Sequence, residues 1–217
     1  MDILFIGNSY TYYNDMPALF ERLANDNGKS VSVCSVTQGG RKLIAYQDPT
    51  DPVTAELDAV LAERTFDVCF IQEQSVLPAA EFDVFLDGLA CVVGKVSGKA
   101  SKSVLYATWG RKQGHGVLAQ YGWTTESMTD LLSDAYQKAA AQIGACVSPV
   151  GTNFLKVVQA NGDINLYDAD LTHPSYAGSC LAALTHYHTV FGEFPQNTTA
   201  LELSETELTA FRTAVGE

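Results

Sequence analysis

The sequence is short of basic residues: 13 Lys and Arg stand against 25 Asp and Glu, a formal net charge of −12 at neutral pH. Nucleic acid and anionic membranes are held by Lys and Arg that neutralise phosphates, so neither is expected as a partner. A small neutral or cationic substrate remains open. No apolar run reaches the eighteen or so residues that span a bilayer as a helix. The chain also lacks CxxC, GxxxxGK[ST], GxGxxG, HExxH and EF-hand patterns, so no metal and no organic cofactor is expected. Its five cysteines, Cys34, Cys69, Cys91, Cys146 and Cys180, are an odd set lying in apolar runs. They predict buried free thiols in a reducing compartment rather than a disulfide framework. A strand starting within two residues of Met1 leaves no leader segment ahead of it, which favours the cytoplasm. Low-complexity tracts, fixed-period repeats and long linkers are missing as well. With 217 residues, 47% of them hydrophobic, the expectation is one domain over 1–217 with a full core.

What is present is alternation. Residues 2–6, 31–36, 66–71, 103–108 and 145–150 read as strands, apolar and rich in Val, Ile and Phe. Helical patterns fill 16–27, with Asp15 as a possible cap and Pro17 in the first turn, 52–64, 80–97 and 124–143. After the fifth strand the pattern predicts a loop, a helix over 175–191 and a last helix opened by the capping box Ser204-Glu205-Thr206-Glu207. Strands apolar on both faces and separated by helices make a parallel sheet covered on both sides. The predicted architecture is α/β, a three-layer α/β/α sandwich on a five-stranded parallel sheet, flavodoxin-like. The longest irregular stretch, 109–123, follows the fourth strand, at the sheet edge where such folds bind ligands.

The chemistry sits at the two ends of the chain. The first strand runs into Gly7-Asn8-Ser9, which puts a hydroxyl at the carboxyl edge of the sheet, ahead of a helix whose N-terminus favours developing negative charge. A serine hydroxyl is a poor nucleophile unless a base takes its proton, and the base needs a partner that fixes its tautomer. Asp170-Leu171-Thr172-His173 offers both: the carboxylate can reach back to Nδ1, leaving Nε2 to face the hydroxyl. Each block alone also reads as a turn or a cap.

Together, Gly-Asn-Ser-Tyr-Thr, Phe-Ile-Gln-Glu-Gln-Ser, Ala-Thr-Trp-Gly, Pro-Val-Gly and Leu-Tyr-Asp-Ala-Asp-Leu-Thr-His-Pro resemble the SGNH hydrolase superfamily, the GDSL-type esterases and lipases, in a bacterial branch. The resemblance runs over about residues 2–195. It implies the SGNH fold and a catalytic triad of Ser9, His173 and Asp170, with Asn8 where the family has Asp. It also implies an oxyanion hole from the backbone N–H of Ser9, a glycine N–H after the second strand, and an Asn side chain after the third. Gly40 of Gly39-Gly40 takes the glycine's place. Gln74, in Gln72-Glu73-Gln74-Ser75, falls where the Asn belongs, carrying the same carboxamide on a stem one methylene longer. The implied activity is hydrolysis of a carboxylic ester, with a short acyl group such as acetyl on a carbohydrate or small metabolite.

Other residues carry less. Glu73 reads as a solvated loop acid ahead of a substrate contact, and His115 as loop decoration. Trp109 and Arg111 are candidates for an aromatic plate and a cation lining a pocket for a sugar or an acid group, and Tyr10, with Tyr12 and Tyr13, for a pocket wall or equally for packed core. His186 and His188, two apart on a helix, point to different faces and make a poor metal pair. Two rival functions use the same sheet edge: a catalytically silent flavodoxin-like module that binds a small ligand, and an acyltransferase working through the same triad.

Overall fold

The computed structural model of the protein describes residues 1–216. Five strands, β1 (Asp2–Gly7), β2 (Ser32–Thr37), β3 (Phe66–Ile71), β4 (Ala100–Tyr106) and β5 (Cys146–Ser148), form one sheet in the order β2-β1-β3-β4-β5. Every pairing is parallel. The helices are α1 (Ser9–Tyr12), α2 (Met16–Asp26), α3 (Pro52–Glu63), α4 (Leu77–Ala80), α5 (Phe82–Val96), α6 (Gly116–Tyr121), α7 (Thr125–Ile143), α8 (Val150–Ala160), α9 (Tyr176–Phe191) and α10 (Glu205–Val215). Side chains alternate along β1. Ile3 and Phe5 join a core with α2, α8, α9 and α10, whereas Leu4 and Ile6 join one with α3, α5 and α7. The three-layer sandwich expected from the alternation is therefore the one formed.

Strand order reverses at β1, which has β2 on one side and β3 on the other. The loops after these strands diverge there and leave a crevice at the carboxyl edge, the position at which open α/β sheets bind ligands.

Local expectations were met unevenly. The capping box of α10 forms: Ser204 Oγ accepts from Glu207 N at 3.3 Å and Glu207 Oε2 from Ser204 N at 2.8 Å. Asp15 precedes α2 in a left-handed conformation (φ 55°) with no side-chain cap bond, so the expected cap is absent. The loop expected after β5 is instead the eleven-residue α8, whose Val150, Phe154 and Val157 pack into the core at helical spacing. Gly151-Thr152-Asn153, between Val150 and Phe154, gives the start of this helix the composition of a loop. Within 109–123, residues 116–121 are the short helix α6. The cysteines are free, but only Cys69 and Cys180 are buried; Cys34 and Cys91 are half-buried and Cys146 is exposed. The three-residue β5 lies at the sheet's edge, with β4 its one strand neighbour.

Candidate active site

Ser9 follows the turn that ends β1. Gly7 is required there by close approach: a Cβ would collide with Thr11 Oγ1 and Gln72 Oε1. Gln72 Oε1 accepts from Asn8 N at 2.8 Å and from Thr11 Oγ1 at 2.9 Å, binding the turn to the end of β3. Asn8 is 2% exposed and uses both ends of its amide. Its Oδ1 caps α1 by accepting from Tyr10 N at 3.1 Å, while Nδ2 donates to the Arg41 carbonyl at 2.9 Å. A carboxylate has no proton for the second bond, so the environment itself selects Asn over Asp.

His173 and Asp170 reach Ser9 from a pinched loop. Asp168 N bonds His173 O at 2.8 Å and Ser175 N bonds Leu166 O at 2.9 Å, so residues 168–173 project as a tip. Leu171 sits at φ 63°, a left-handed conformation that a leucine adopts only under constraint. The constraint is visible: Leu171 O accepts from Lys112 N at 2.9 Å, and Trp109 Nε1 donates to Thr172 O at 3.1 Å. This curl turns Asp170 back on its own chain. Oδ1 accepts from Thr172 N and His173 N, both at 2.9 Å, and Oδ2 lies 2.5 Å from His173 Nδ1. His173 Nε2 is 2.9 Å from Ser9 Oγ. Burial pushes the Asp170 pKa up, but the hydrogen bonds from His173 and Thr172 outweigh it and hold the carboxyl below its ordinary value. The Tyr13 ring stacks on the imidazole at 4.4 Å and 13°, limiting its rotation.

A cavity of about 250 Å³ opens beside Ser9 and His173, bordered by Gly40, Gln74, Arg111 and His115 among others. Gly40 has φ +67°, the left-handed region suited to glycine. Neither its N–H nor that of Ser9 is spent on a partner among the described residues. Gln74 Oε1 accepts from Val76 N at 3.0 Å and Leu77 N at 3.1 Å, capping α4. Two backbone donors identify that atom as the oxygen, so the Nε2 protons are the ones left unspent.

Several expectations are corrected. Trp109 does not line the cavity: it is fully buried, stacked between Tyr10 (4.6 Å) and Phe154 (4.1 Å). Arg111 and Tyr10 do line it, Tyr12 is exposed, and Tyr13 serves as the plate against His173. Glu73 is no solvated acid. It is fully buried, and accepts from Leu43 N at 3.0 Å and from Gln74 N at 2.6 Å. Burial raises its pKa to about 7, against the pull of those N–H groups. Its carboxylate thus joins the loop after β2, which carries Gly40, to the loop after β3, which carries Gln74. His115 is more than decoration, since it borders the cavity and caps α6 through Nδ1, which accepts from Val117 N at 3.1 Å. His186 is buried against Ser148, its Nδ1 2.8 Å from Ser148 Oγ, and burial lowers its pKa to about 3. The sequence did contain a signal for Asn8, Gln72 and Glu73: a polar run that directly follows strands buried on both faces has no solvent to turn to.

No protein-family model and no curated protein matches the chain. Among solved structures, a protein from Slackia heliotrinireducens assigned to the SGNH hydrolases is similar at 31% identity, over 88% of this chain and 98% of that one, with a TM-score of 0.76. A protein of the DUF4886 family from Bacteroides uniformis superposes with a TM-score of 0.81 at 18% identity, over 99% and 93% of the two chains. An acetylxylan esterase from Geobacillus stearothermophilus does so with a TM-score of 0.65 at 15% identity, over 88% and 94%.

Proposed function

The chain belongs to the SGNH hydrolase superfamily, and from that premise we propose that it hydrolyses a short-chain carboxylic ester, such as an acetyl group on a carbohydrate or small metabolite, through Ser9, His173 and Asp170. The observation that carries the reading is the unbroken line from Asp170 Oδ2 through His173 to Ser9 Oγ, with contacts of 2.5 and 2.9 Å. Hydrogen bonds of this reach let the base take the hydroxyl proton as the oxygen attacks.

In this mechanism Ser9 Oγ adds to the ester carbonyl carbon while its proton passes to His173 Nε2. Asp170 accepts the Nδ1 hydrogen bond, fixes the tautomer and stabilises the imidazolium. The carbonyl oxygen becomes an oxyanion held by the N–H groups of Ser9 and Gly40 and by Gln74 Nε2. A preorganised donor of this kind lowers the barrier by about 3 kcal/mol. His173 then gives its proton to the leaving alcohol, and the acyl group stays on Ser9. Water, deprotonated by His173, attacks the acyl-enzyme and releases the acid with Ser9 regenerated.

A cavity of about 250 Å³ supports a small acyl group, since at the ~30 Å³ that one water occupies in the liquid it takes roughly eight non-hydrogen atoms. The test compares p-nitrophenyl acetate hydrolysis by wild type, Ser9→Ala and His173→Ala. Both variants are expected to lose at least about 10³-fold in kcat; equal rates in all three end the assignment. Labelling by a fluorophosphonate at a serine other than Ser9 does the same.

A further inference from the structure

Among the described residues two arginines are buried, Arg41 at 6% exposure and Arg111 at 8%. Arg41 has its charge answered: its Nη2 lies 2.7 Å from Asp51 Oδ1, and its guanidinium lies over the Tyr46 ring. Arg111 also lies over a ring, that of Tyr10 at 5.5 Å, but it has no carboxylate. Among the described residues no carboxylate comes within 4.0 Å of it. Its Nη1 donates to Tyr10 Oη and its Nη2 to Ser75 Oγ at 2.8 Å, both neutral hydroxyls; its Nε, like that of Arg41, is buried with no partner, so the missing carboxylate is what sets the two arginines apart. Asp170, whose charge is felt at Tyr10 and His115, is already spent on His173 and two backbone N–H groups.

A buried cation without a counter-ion is costly and is retained where something else supplies the negative charge. Arg111 borders the same cavity as Ser9 and His173. We propose that Arg111 is the counter-ion for a single carboxylate carried by the ester substrate, so that the site takes monoanionic esters in preference to neutral ones. This rests on the Ser9 reading and adds to it the substrate's charge.

The chemistry favours a carboxylate over a phosphate. The guanidinium fork matches a planar carboxylate in two parallel bonds. Among the described residues Arg111 is the one Lys or Arg bordering the cavity, which balances one negative charge, and the chain's net charge of −12 disfavours a polyanion. His115 agrees with this. Its Nδ1 accepts from Val117 N, leaving the proton on Nε2. Burial, and then Arg111, lower its pKa and hold it neutral. It thus offers a hydrogen-bond donor at the cavity without a second charge.

The carboxylate can sit on either side of the ester bond, and the experiment separates the two. For the acyl side, kcat/KM is measured with 4-nitrophenyl hemisuccinate against 4-nitrophenyl valerate, each corrected for uncatalysed hydrolysis. For the alcohol side it is measured with 3-acetoxybenzoate against 3-acetoxybenzamide. Wild type should prefer the charged member of at least one pair by about 10- to 100-fold, the value of one charged hydrogen-bonded contact. The charged-to-neutral ratio should fall at least tenfold in Arg111→Met and less in Arg111→Lys. The ratio is the readout, because either variant also changes the absolute rates. Should Arg111→Met not fold, competitive inhibition of wild type by the monoanion succinamate against neutral succinamide decides, with succinamate expected to bind at least tenfold more tightly. Ratios near one for both pairs in wild type, an unchanged ratio in Arg111→Met, or equal inhibition by the two diacid derivatives overturns the proposal. Equal loss on charged and neutral esters also overturns it, since that outcome assigns Arg111 to the reaction's own oxyanion. Failure of the Ser9 reading looks different: Ser9→Ala then retains wild-type rates on every ester.

Discussion

Asn8→Asp restores the residue that the family carries beside its nucleophile, and the structure says that it should damage this protein in a pH-dependent way. Asn8 Nδ2 donates to the Arg41 carbonyl at 2.9 Å, and its Oδ1 accepts from Tyr10 N at 3.1 Å. Aspartate keeps the second bond and loses the first, for about 1 kcal/mol. It also sets a carboxylate oxygen against a carbonyl oxygen in a site 2% exposed, which costs a further 1–3 kcal/mol or so. Its charge at the start of α1 returns about 0.3–1 kcal/mol. The net loss is about 2 kcal/mol at pH 8, a fall in Tm of roughly 4–8 °C for a chain of this size. A penalty of this size raises the folded-state pKa of the new carboxyl by about 1.5 units, from about 3.9 in the unfolded chain to about 5.5. The folded state then binds the proton more tightly than the unfolded state. The variant should therefore approach wild type below pH 4 and lose stability as pH rises through about 5.5. Urea unfolding of both proteins at pH 4, 6 and 8, compared at each pH, isolates this term because other groups cancel. Asn8→Ala loses both bonds but should show no such pH window. A deficit equal at pH 4 and pH 8 refutes the reasoning, as does no deficit at all.

Gln74→Glu tests the amide donor separately from the cap. Its carboxylate can still accept from Val76 N and Leu77 N, so stability should stay within about 1 kcal/mol. With the Nε2 protons gone, kcat on p-nitrophenyl acetate should drop at least about 10²-fold; an unchanged kcat removes Gln74 from the oxyanion hole. Glu73→Gln tests the buried carboxyl. With a pKa of about 7 folded against an ordinary value near 4.3, its contribution to stability is complete below the unfolded value and is lost as pH rises through 7, by up to about 4 kcal/mol. Denaturation of the variant should lack that decline between pH 4.5 and 7.5, and a slope the same as wild type's would place the titration elsewhere.

The fold was largely legible in the sequence because the information is periodic: strands buried on both faces read as apolar runs, and most helices carry their own caps. It failed where local composition misled, as after Pro149, where Gly151-Thr152-Asn153 reads as a loop but opens α8. The grouping of the candidate site was legible as well. Gly7-Asn8-Ser9 and Asp170 to His173 are short blocks whose spacing limits what their side chains can do, and the three side chains meet at 2.9 and 2.5 Å.

The state of the polar residues around them was decided only in three dimensions. Whether Glu73 is solvated, whether Trp109 faces a cavity or a core, and whether Arg41 or Arg111 finds a carboxylate all depend on segments distant along the chain: Leu43 for Glu73, Phe154 for Trp109, Asp51 for Arg41 and Tyr10 for Arg111. A residue's type states what it can donate, accept or neutralise. Tertiary packing alone determines how much of that capacity is used inside the protein, and at Arg111 it leaves a charge unanswered.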